Sequence, residues 1–565
     1  MAEYLSPGVY VEEYDNSPRS IEGVGTSTAG FIGLAEKGPV EGAPLLVTSM
    51  RSFKQQFGGF LSEFGYGEYR FLANSVEQFF DNGGTRCYVM RVAPSDAKAA
   101  TADKGMLTVT ASSPGAWGNK IQVTVSTNKK RKLQLIEKTD AGFVAKSLEG
   151  FREGDLVEFN GTYTRIKTIF DRVVTFEDEI PDSAVDKDII PTSLLYLVTI
   201  DMSVRYGEDV ENYTELSVNT RSPRFIGSKL AGSEIIKVEV SPKETSANPV
   251  ADILGEDVTD GVFFLAGGSD GSVSKIDAST YIGEDNGPGK RTGLQAFLEN
   301  NVVSMMAIPG ITIPEVVVAL VGHCELLRSR FAALDMPKDM YKTADLIGYR
   351  QMVDSTYCAM YHPWIQTFDR SSNKADYIPP SGAVCGVYSR TDIDRGVHKA
   401  PANEVVFCTG LSVNYTKDEQ DILNPEGINL IRFFPGQGIR IWGARTASSN
   451  SAFKYVNVRR LFIFVEESIK ANTNWVVFEP NDPTLWQRVN LTISNFLEGL
   501  WRNGMLAGES ASDSYFVEIG PSTMTQDDIM NGRLICNIGI APSRPAEFVI
   551  FRVTQHTSEA GGSGE

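Results

Sequence analysis

A short glycine-rich run has the residue types and spacing of a serine nucleophile site. Residues 267–271 read Gly-Gly-Ser-Asp-Gly, which fits the GxSxG pattern, and they follow an apolar stretch. A serine nucleophile of this kind needs a helix directly after it and a histidine as general base. The residues after Ser269 are instead glycine and β-branched residues without an amphipathic repeat. We interpret the run as a turn after a strand, and hydrolysis by Ser269 stays open as an alternative function.

The remaining chemical motifs are incomplete. The four histidines are His323, His362, His398 and His556, and His323 lies in an apolar run over residues 314–334 that we predict to be helical. A histidine in that setting is more often packed than catalytic. Residues 287–292 match the end of the P-loop motif, but the motif is incomplete because Glu284 stands where its first glycine should be. We therefore expect no enzymatic activity, no catalytic residue, no cofactor or cofactor-binding residue, and no metal ligand.

Composition argues against several other classes of partner. A net charge of −18 and a pI near 4.9 disfavour nucleic-acid binding, which requires clustered Lys and Arg. The basic run over residues 129–132 is interpreted as a solvated turn. The longest apolar stretches fall far below the roughly 18 residues needed to cross a bilayer, so we expect no membrane insertion. The six cysteines lack CxxC spacing and are predicted to be reduced and mostly buried.

The elements of the first 95 residues follow an α/β pattern. A short apolar strand after Ser27 ends in glycine and proline, and apolar residues at helical spacing predict a helix over 71–80. Asn82-Gly83-Gly84 ends this helix, and residues 87–92 form a buried strand. A strand, a helix and a strand in succession favour an α/β layer with crossovers.

The pattern of apolar and polar residues changes between about residues 104 and 261. Alternating apolar and polar residues with turn signals every 8 to 12 positions are typical of small antiparallel β domains. We interpret this region as one or two β domains inserted into a loop of the first domain. The α/β pattern is expected to resume at the stretch that begins with Val262.

Charged residues follow in a segment over 357–403. Asp392, Arg395 and Lys399 could form a polar site, but charged residues on a loop more often make ion pairs that fix the loop or contact a neighbouring subunit. Further on, apolar spacing predicts helices over 457–471 and 484–503, the second begun by Asp482-Pro483 and ended by Gly504. These helices are predicted to cover one face of a small sheet made from residues 514–520 and 533–542.

Both ends of the chain carry a strand beside a polar segment. Neither the strand over 9–14 nor the strand over 547–553 has a hairpin partner next to it, so each needs a sheet edge elsewhere. This arrangement favours strand addition between subunits. The predicted inter-subunit residues are Val9, Tyr10, Val11, Glu12, Tyr14, Phe548, Val549, Ile550, Phe551 and Val553.

Several long strings follow one another along the chain: STAGFIGLAEKGP from Ser27, the segment over 357–403, RIWGART (440–446), KYVNVRRLFIFVEESI (454–469), VVFEPNDPTLWQRV (476–489) and IAPSRPAEFVIFRV (540–553). In wording and in order, these strings resemble contractile tail sheath proteins. The resemblance covers roughly residues 1–95 and 260–556. It implies an α+β multidomain fold with a subtilisin-like α/β first domain, inserted β domains, and a C-terminal α+β domain with extended arms.

The resemblance also implies domain boundaries. We expect an N-terminal arm (1–25), a discontinuous α/β domain (26–103 and 262–426), an outward-facing β-rich insertion (104–261), an inner C-terminal domain (427–545) and a C-terminal arm with a tail (546–565).

The implied function is mechanical. Subunits would form stacked hexameric rings around a tail tube and contract to drive the tube through a target envelope. The implied partners are further copies of the chain, the tail tube protein, and the baseplate and tail terminator proteins. The implied location is a virion tail assembled in the host bacterial cytoplasm. The sheath of a non-infectious tail-like particle and a static adhesin or capsid protein remain alternatives.

Overall fold

The first part of the chain forms three strands of a central sheet and three helices. A computed structural model describes residues 20–185, 194–241 and 260–550. The first elements are β1 (Ala29–Leu34), β2 (Leu45–Val47), α1 (Met50–Phe57), α2 (Glu63–Tyr66), α3 (Leu72–Asp81) and β3 (Cys87–Val92). The predicted helix over 71–80 and the predicted strand over 87–92 are therefore confirmed.

A β-rich region follows, as predicted. Its strands are β4 (Thr101–Lys104), β5 (Leu107–Ala111), β6 (Gln122–Asn128), β7 (Lys132–Leu133), β8 (Leu135–Thr139), β9 (Gly142–Ala145), β10 (Leu156–Phe159), β11 (Thr162–Phe170), β12 (Val173–Phe176), β13 (Leu195–Leu197), β14 (Thr199–Tyr206), β15 (Asp209–Leu216), β16 (Ile236–Val240) and β17 (Asp260–Phe264), with one helix, α4 (Ile226–Leu230). In the described residues these strands form sheets of seven, four and three strands. Two separate apolar clusters fill them.

The chain then returns to the central sheet. The elements are α5 (Ala278–Ile282), β18 (Met305–Ala307), α6 (Pro314–Leu327), β19 (Phe331–Asp335), α7 (Thr343–Arg350), β20 (Cys358–His362), β21 (Ile365–Asp369), β22 (Lys374–Ile378), α8 (Ser381–Arg395), β23 (Glu404–Val405), β24 (Gly410–Leu411), α9 (Lys417–Leu423), β25 (Ile428–Phe434) and β26 (Gly438–Ile441). The C-terminal elements are α10 (Val456–Asn472), α11 (Pro483–Arg502), α12 (Ala511–Ser514), β27 (Tyr515–Ile519), α13 (Gln526–Met530) and β28 (Cys536–Ile540).

The central sheet has nine strands in the described chain, in the order β2-β3-β1-β18-β19-β20-β25-β26-β23. The six strands from β3 to β25 are parallel, and antiparallel strands close both edges. One face packs against α1, α3 and α8, and the other against α6, α7 and α9. Crossovers of this kind need helices on both faces, so the predicted α/β layer is confirmed.

Two glycines bring α8 unusually close to α3. A Cβ on Gly382 would lie 2.3 Å from the carbonyl oxygen of Ser75, and one on Gly386 would lie 2.5 Å from the carbonyl oxygen of Phe79. Any larger residue would push the helices apart. Pro380 is the N-terminal flank of α8, and Ser381 and Gly382 lie in its first turn.

The run over 314–334 was predicted to be one helix, and this was wrong. Helix α6 ends at Leu327, Arg328 adopts a left-handed backbone conformation with a φ of 57°, and Phe331–Asp335 forms β19. All five residues of β19 are buried because the strand lies between β18 and β20. A short, continuously apolar run fits a buried strand and a buried helix segment equally well. The spacing of its apolar residues therefore cannot distinguish a strand from a helix.

Two predicted positions of sheet strands were also wrong. Strand β17, which contains Val262, pairs with β6 in the inserted region, and the central sheet resumes only at β18. RIWGART, which was placed in the C-terminal domain, begins with the last two residues of β26 at an edge of the central sheet. The partner of β17 lies more than 130 residues earlier in the chain, whereas β26 forms a hairpin with β25, which joins the central sheet through β20.

A buried ion pair connects the central sheet region to the C-terminal helices. Arg460 on α10 donates to both carboxylate oxygens of Asp392 on α8, at 2.9 and 2.6 Å, and both side chains are 3% exposed. The same guanidinium donates to the carbonyl oxygen of Thr26 at 3.0 Å. One side chain therefore fastens three parts of the chain: the N-terminal segment, α8 and α10.

We expect Asp392→Asn to destabilise the subunit by about 3–5 kcal/mol, because it leaves the Arg460 charge buried without a counter-charge. Urea unfolding of the monomer, followed by tryptophan fluorescence, measures this loss. The matched control is Lys470→Gln on the same helix, which breaks an exposed pair with Glu467 and should cost at most about 1 kcal/mol. Equal unfolding midpoints for the two variants would contradict the prediction.

Candidate assembly surfaces

The C-terminal module contains a sheet of only two strands in the described chain. β27 and β28 pair antiparallel, from Tyr515 opposite Ile540 to Ile519 opposite Cys536. Helix α11 lies on one face, and its apolar stripe packs with residues of α10 and of both strands. Helices over 457–471 and 484–503 covering this sheet were predicted, and this is confirmed. The Asp482 side chain accepts from the Leu485 amide, Pro483 begins α11, and Gly504 follows its last turn.

The covered face of this sheet is incompletely buried. Six apolar side chains point toward α11 and α10, and all six are only half-buried, namely Tyr515, Val517, Ile519, Cys536, Ile538 and Ile540. A two-stranded sheet is marginally stable on its own, and both of its outer edges leave backbone groups to be paired. Within the described residues neither edge has a neighbouring strand, and Asn490 Nδ2 donates to the carbonyl oxygen of Val517 on the β27 edge at 3.0 Å.

The C-terminal segment is held to the rest of the chain by Glu547. One carboxylate oxygen accepts from Arg445 Nε at 2.7 Å and from Asn424 Nδ2 at 2.8 Å. The other accepts from Arg445 Nη2 and the Tyr455 hydroxyl, both at 2.8 Å. Lys454 lies 3.6 Å away. Burial opposes the charged form, but the hydrogen bonds from Arg445, Asn424 and Tyr455 outweigh it and lower the pKa of Glu547 to about 2.

The residues directly after Glu547 are apolar and exposed. Phe548, Val549 and Ile550 are 72%, 67% and 79% exposed, and they belong to no strand. Exposed apolar runs of this kind mark interaction sites. The other predicted arm residues lie outside the described ranges, namely Val9, Tyr10, Val11, Glu12, Tyr14, Phe551 and Val553. Their pairing stays a prediction.

The N-terminal segment is held along α10. Ile21 joins the apolar cluster of the C-terminal module. The carbonyl oxygen of Glu22 accepts from Asn472 Nδ2 at 2.9 Å, and the amide of Val24 donates to Ser468 Oγ at 3.1 Å. The N-terminal segment thus meets the C-terminal end of α10.

The two terminal segments are anchored at opposite ends of α10. Glu547 contacts Tyr455, which flanks the first turn of α10, whereas Glu22 contacts Asn472 at its last residue. At 1.5 Å per residue these ends lie about 25 Å apart. The helix therefore fixes the distance between the points at which the terminal segments leave the subunit.

The charged residues singled out in the sequence serve structural contacts. Asp392 and Arg395 lie in the last turns of α8, not on a loop as predicted, and Asp392 is held by Arg460. Lys399 Nζ donates to Glu404 at 3.2 Å and to two backbone carbonyls. The prediction that these charges form ion pairs is confirmed for Asp392 and Lys399.

Ser269 lies in a turn at the base of the inserted region. It exchanges two backbone hydrogen bonds with Lys98, and its hydroxyl accepts from the Gly271 amide. Gly267 and Gly271 have φ values of 79° and 77°, which explains the glycines. The predicted turn is confirmed.

The described histidines are packed against polar groups. His323 Nε2 lies 3.3 Å from Arg330 Nη1, and His362 Nε2 lies 2.9 Å from the Tyr415 hydroxyl. Burial lowers the pKa of each to about 4. His398 is half-buried, and burial lowers its pKa too. His556 lies outside the described residues.

No group of three or more His, Cys, Asp or Glu side chains in the described ranges is arranged to hold a metal ion. In the same ranges, no helix is both long and apolar enough to cross a membrane. All six cysteines are free thiols; four are buried, while Cys408 and Cys536 are half-buried.

Two family models match consecutive parts of this chain. The phage tail sheath protein central domain matches residues 283–447, and the phage tail sheath C-terminal domain matches residues 448–556. The boundary between them places β25 and β26 in the central domain, in agreement with the pairing of these strands.

Sequence relatives carry the same description. A putative prophage major tail sheath protein of Pseudomonas aeruginosa (strain UCBPP-PA14) is 28% identical over 289 residues, which cover 49% of this chain and 72% of the relative. The tail sheath protein of Escherichia phage P2 is 26% identical, over 48% of this chain and 70% of the relative.

Solved sheath structures share the fold over nearly the whole length. The contracted PVC sheath complex of an extracellular contractile injection system aligns with a TM-score of 0.54 and 22% identity, covering 98% of this chain and 99% of that one. A sheath tail protein of Listeria innocua aligns with a TM-score of 0.52 and 12% identity, covering 93% and 96%. With two consecutive sheath domains over residues 283–556 and with tail sheath proteins among its sequence relatives, this chain belongs to the tail sheath family of contractile phage tails and related injection systems.

Proposed function

We propose that this protein is the structural subunit of a contractile sheath, and that its role is mechanical rather than catalytic. The observation that carries this proposal is a two-stranded sheet with open edges, in a chain whose C-terminal segment presents three exposed apolar residues outside any sheet. The sheet lacks strands and the chain end lacks a sheet, so copies of the protein complete each other.

Strand addition suits a lattice that changes shape. Backbone hydrogen bonds between an arm and a sheet edge depend little on the identity of the side chains and hold the arm firmly. If the arm bends near its root, two subunits can rotate relative to each other without losing these bonds. The lattice then shortens while it stays connected.

The subunit itself is built to move as one body. The Asp392–Arg460 pair fastens α8 to α10, and Arg460 also holds the N-terminal segment at Thr26. Breaking a buried pair of this type costs about 3–5 kcal/mol. Bending is therefore expected in the arms, beyond Glu22 at one end and Glu547 at the other.

The energy for contraction comes from closer packing. At about 25 cal/mol per Å² of apolar surface, a few hundred Å² of additional contact per subunit releases a few kcal/mol before entropic and desolvation costs. Summed over many subunits, this drives a tube through an envelope.

The arrangement within the sheath is part of the proposal. Hexameric rings stack around a tail tube protein, the C-terminal module faces the tube, and the inserted β region faces outward. Baseplate and tail terminator proteins cap the two ends, and assembly takes place in the host bacterial cytoplasm. The first domain is proposed to be subtilisin-like. The particle is either a virion tail or a non-infectious injection system; both use the same subunit mechanics.

Removing either arm should abolish polymerisation and leave a folded monomer, because each arm donates the strand that connects copies. The variants lack residues 1–20 or residues 547–565, and the matched control lacks only residues 557–565. Negative-stain micrographs measure tube length, and circular dichroism tests the fold. Tubes of normal length from both arm deletions would defeat the proposal.

Glu547→Gln should loosen the root of the C-terminal arm, because it removes the negative charge that Arg445 and Lys454 hold. Charge-assisted hydrogen bonds contribute about 1.5–3 kcal/mol. We therefore expect protease to cleave the chain at residues 544–550 roughly tenfold to a hundredfold faster in limited proteolysis, because cleavage follows the fraction of chains with this segment detached. The control, Glu479→Gln, alters an exposed carboxylate on the loop before α11.

The pH dependence of this anchor follows from its lowered pKa. A carboxylate whose pKa falls on folding stabilises the fold fully above its unfolded value of about 4.3 and loses that effect as the pH falls toward 2. Proteolytic cleavage of the wild-type chain at residues 544–550, corrected for the pH dependence of the protease itself, should thus stay constant between pH 5 and 8. A marked change within that window would contradict the assignment of Glu547 as the anchor.

A further inference from the structure

One aromatic side chain of the C-terminal module lies wholly in solvent. Phe478, on the loop between α10 and α11, is fully exposed, and its neighbour Val477 is 63% exposed. Phe478 also has a left-handed backbone conformation, with a φ of 68°. This conformation strains a bulky residue, and strain of this kind is typically retained where it serves a function. The fold therefore maintains an exposed aromatic ring at a backbone position that does not favour one.

The loop holds Phe478 in a fixed position. The amide of Glu479 donates to the carbonyl oxygen of Val476 at 3.2 Å, which closes a tight turn around Phe478. Three residues after Phe478, the Asn481 side chain accepts from Trp486 Nε1 on α11 at 2.7 Å. A side chain that is already fixed in place loses little conformational entropy on binding, so Phe478 is suited to act as an interface anchor.

The subunit also carries a cleft of suitable size. The cleft lies between the N-terminal segment, the loop before β18 and the C-terminal half of α10, and its volume is about 450 Å³. Clefts that hold a small-molecule ligand have roughly 300–1,000 Å³, so this one has room for an aromatic ring. Its apolar lining consists of Val24, Val302, Val303, Ile463, Phe464 and Ala471.

Phe478 does not fill the cleft of its own subunit. Asn474, four residues before Phe478, lines the cleft, yet the Phe478 side chain is fully exposed. A ring that enters this cleft must therefore come from another molecule.

The cleft and the loop carry complementary charges. Arg86 lines the cleft, where its Nε donates to the Thr28 hydroxyl at 2.8 Å, and it makes no ion pair within the described ranges. Glu479, which directly follows Phe478, is exposed and likewise makes no ion pair with any described residue. An apolar side chain beside a carboxylate thus matches an apolar cleft beside a guanidinium, and a pair between the two charges would be charge-assisted.

We propose that Phe478 of one copy inserts into this cleft of a second copy, where Glu479 pairs with Arg86. Each copy carries both the side chain and the cleft, so the contact joins two different surfaces and repeats from copy to copy, as rings and helical assemblies require. This inference rests on the proposed sheath function. It adds to that function a side-chain contact that is separate from the terminal arms.

The first test is truncation of the exposed ring in the full-length chain. Phe478→Ala should raise the critical concentration for tube assembly, measured by sedimentation, roughly tenfold or more. The matched control is Phe64→Ala on α2, which removes an equally exposed ring and should change that concentration by at most about twofold. Phe478→Gly should weaken assembly as well, while the monomer unfolds at the same urea concentration or a higher one, because glycine adopts the left-handed conformation without strain.

The second test is charge reversal. Glu479→Arg and Arg86→Glu should each raise the critical concentration roughly tenfold, because each places like charges together at the contact. The two changes in one chain should restore assembly. Rescue of this kind identifies the two residues as partners, since two independent losses of stability would add instead.

A cross-link identifies the partner directly and leaves Phe478 in place. Chains with Val477→Cys and chains with Val302→Cys, both lacking the half-buried thiols through Cys408→Ser and Cys536→Ser, are assembled together and oxidised. Mass spectrometry should find an intermolecular disulfide between positions 477 and 302. Mixtures in which Phe64→Cys replaces Val477→Cys should give none.

The outcomes separate this contact from the sheath function. Wild-type tubes with unchanged assembly of Phe478→Ala, or with no disulfide between positions 477 and 302, would overturn the contact and leave the sheath function intact. Normal tubes that have lost only their binding to the tail tube protein would also overturn it, because Phe478 would then contact the tube. Absence of tubes from the wild-type chain would instead count against the sheath function.

Discussion

The constraint on which this structure depends is the need of every backbone amide and carbonyl for a partner. Most of the chain satisfies it internally, through the nine-stranded central sheet and the sheets of the inserted region. The C-terminal module does not, because its two strands leave outer edges unpaired within the described residues. Most soluble proteins protect such edges with charges, bulges or covering loops. In the assembly proposed above, the sheath subunit instead uses them, and copies join through the same kind of hydrogen bonds that would otherwise cause aggregation.

The remaining structure keeps those edges and the terminal segments in a fixed relation. The Asp392–Arg460 pair makes the central region and the C-terminal helices one body. The Glu547 cluster holds the C-terminal segment at a defined point, so Phe548, Val549 and Ile550 begin directly at the anchor. Buried and half-buried charges thus hold the described terminal segments in place, and in the proposed assembly apolar residues and backbone groups would supply the contacts between copies.

Much of the fold could be predicted from the sequence because long periodic segments are informative. The apolar stripes of α10 and α11, the Asp482-Pro483 start and the Gly504 stop specify two helices within one or two residues. Short apolar runs were harder: Phe331–Asp335 reads equally well as helix or strand, and only its place between β18 and β20 decides. Likewise, nothing local to Val262 indicates that its strand pairs with residues more than 130 positions earlier in the chain. Nothing local to Arg440 indicates that the β25–β26 hairpin joins the central sheet through β20. The Glu547 anchor was missed because its partners, Asn424, Arg445 and Tyr455, are scattered over the sequence and come together only in the fold.

The terminal segments are anchored at opposite ends of α10, by Glu547 at Tyr455 and by Glu22 at Asn472, so the helix can act as a lever arm between them. If one end of this helix is held by its link to a neighbour, turning the subunit by about 30° sweeps the other end through roughly 13 Å, given a length of about 25 Å. In the proposed sheath, a modest rotation at each link would thereby become a translation along the assembly. The stroke of such a machine would then scale with the number of turns in a single helix.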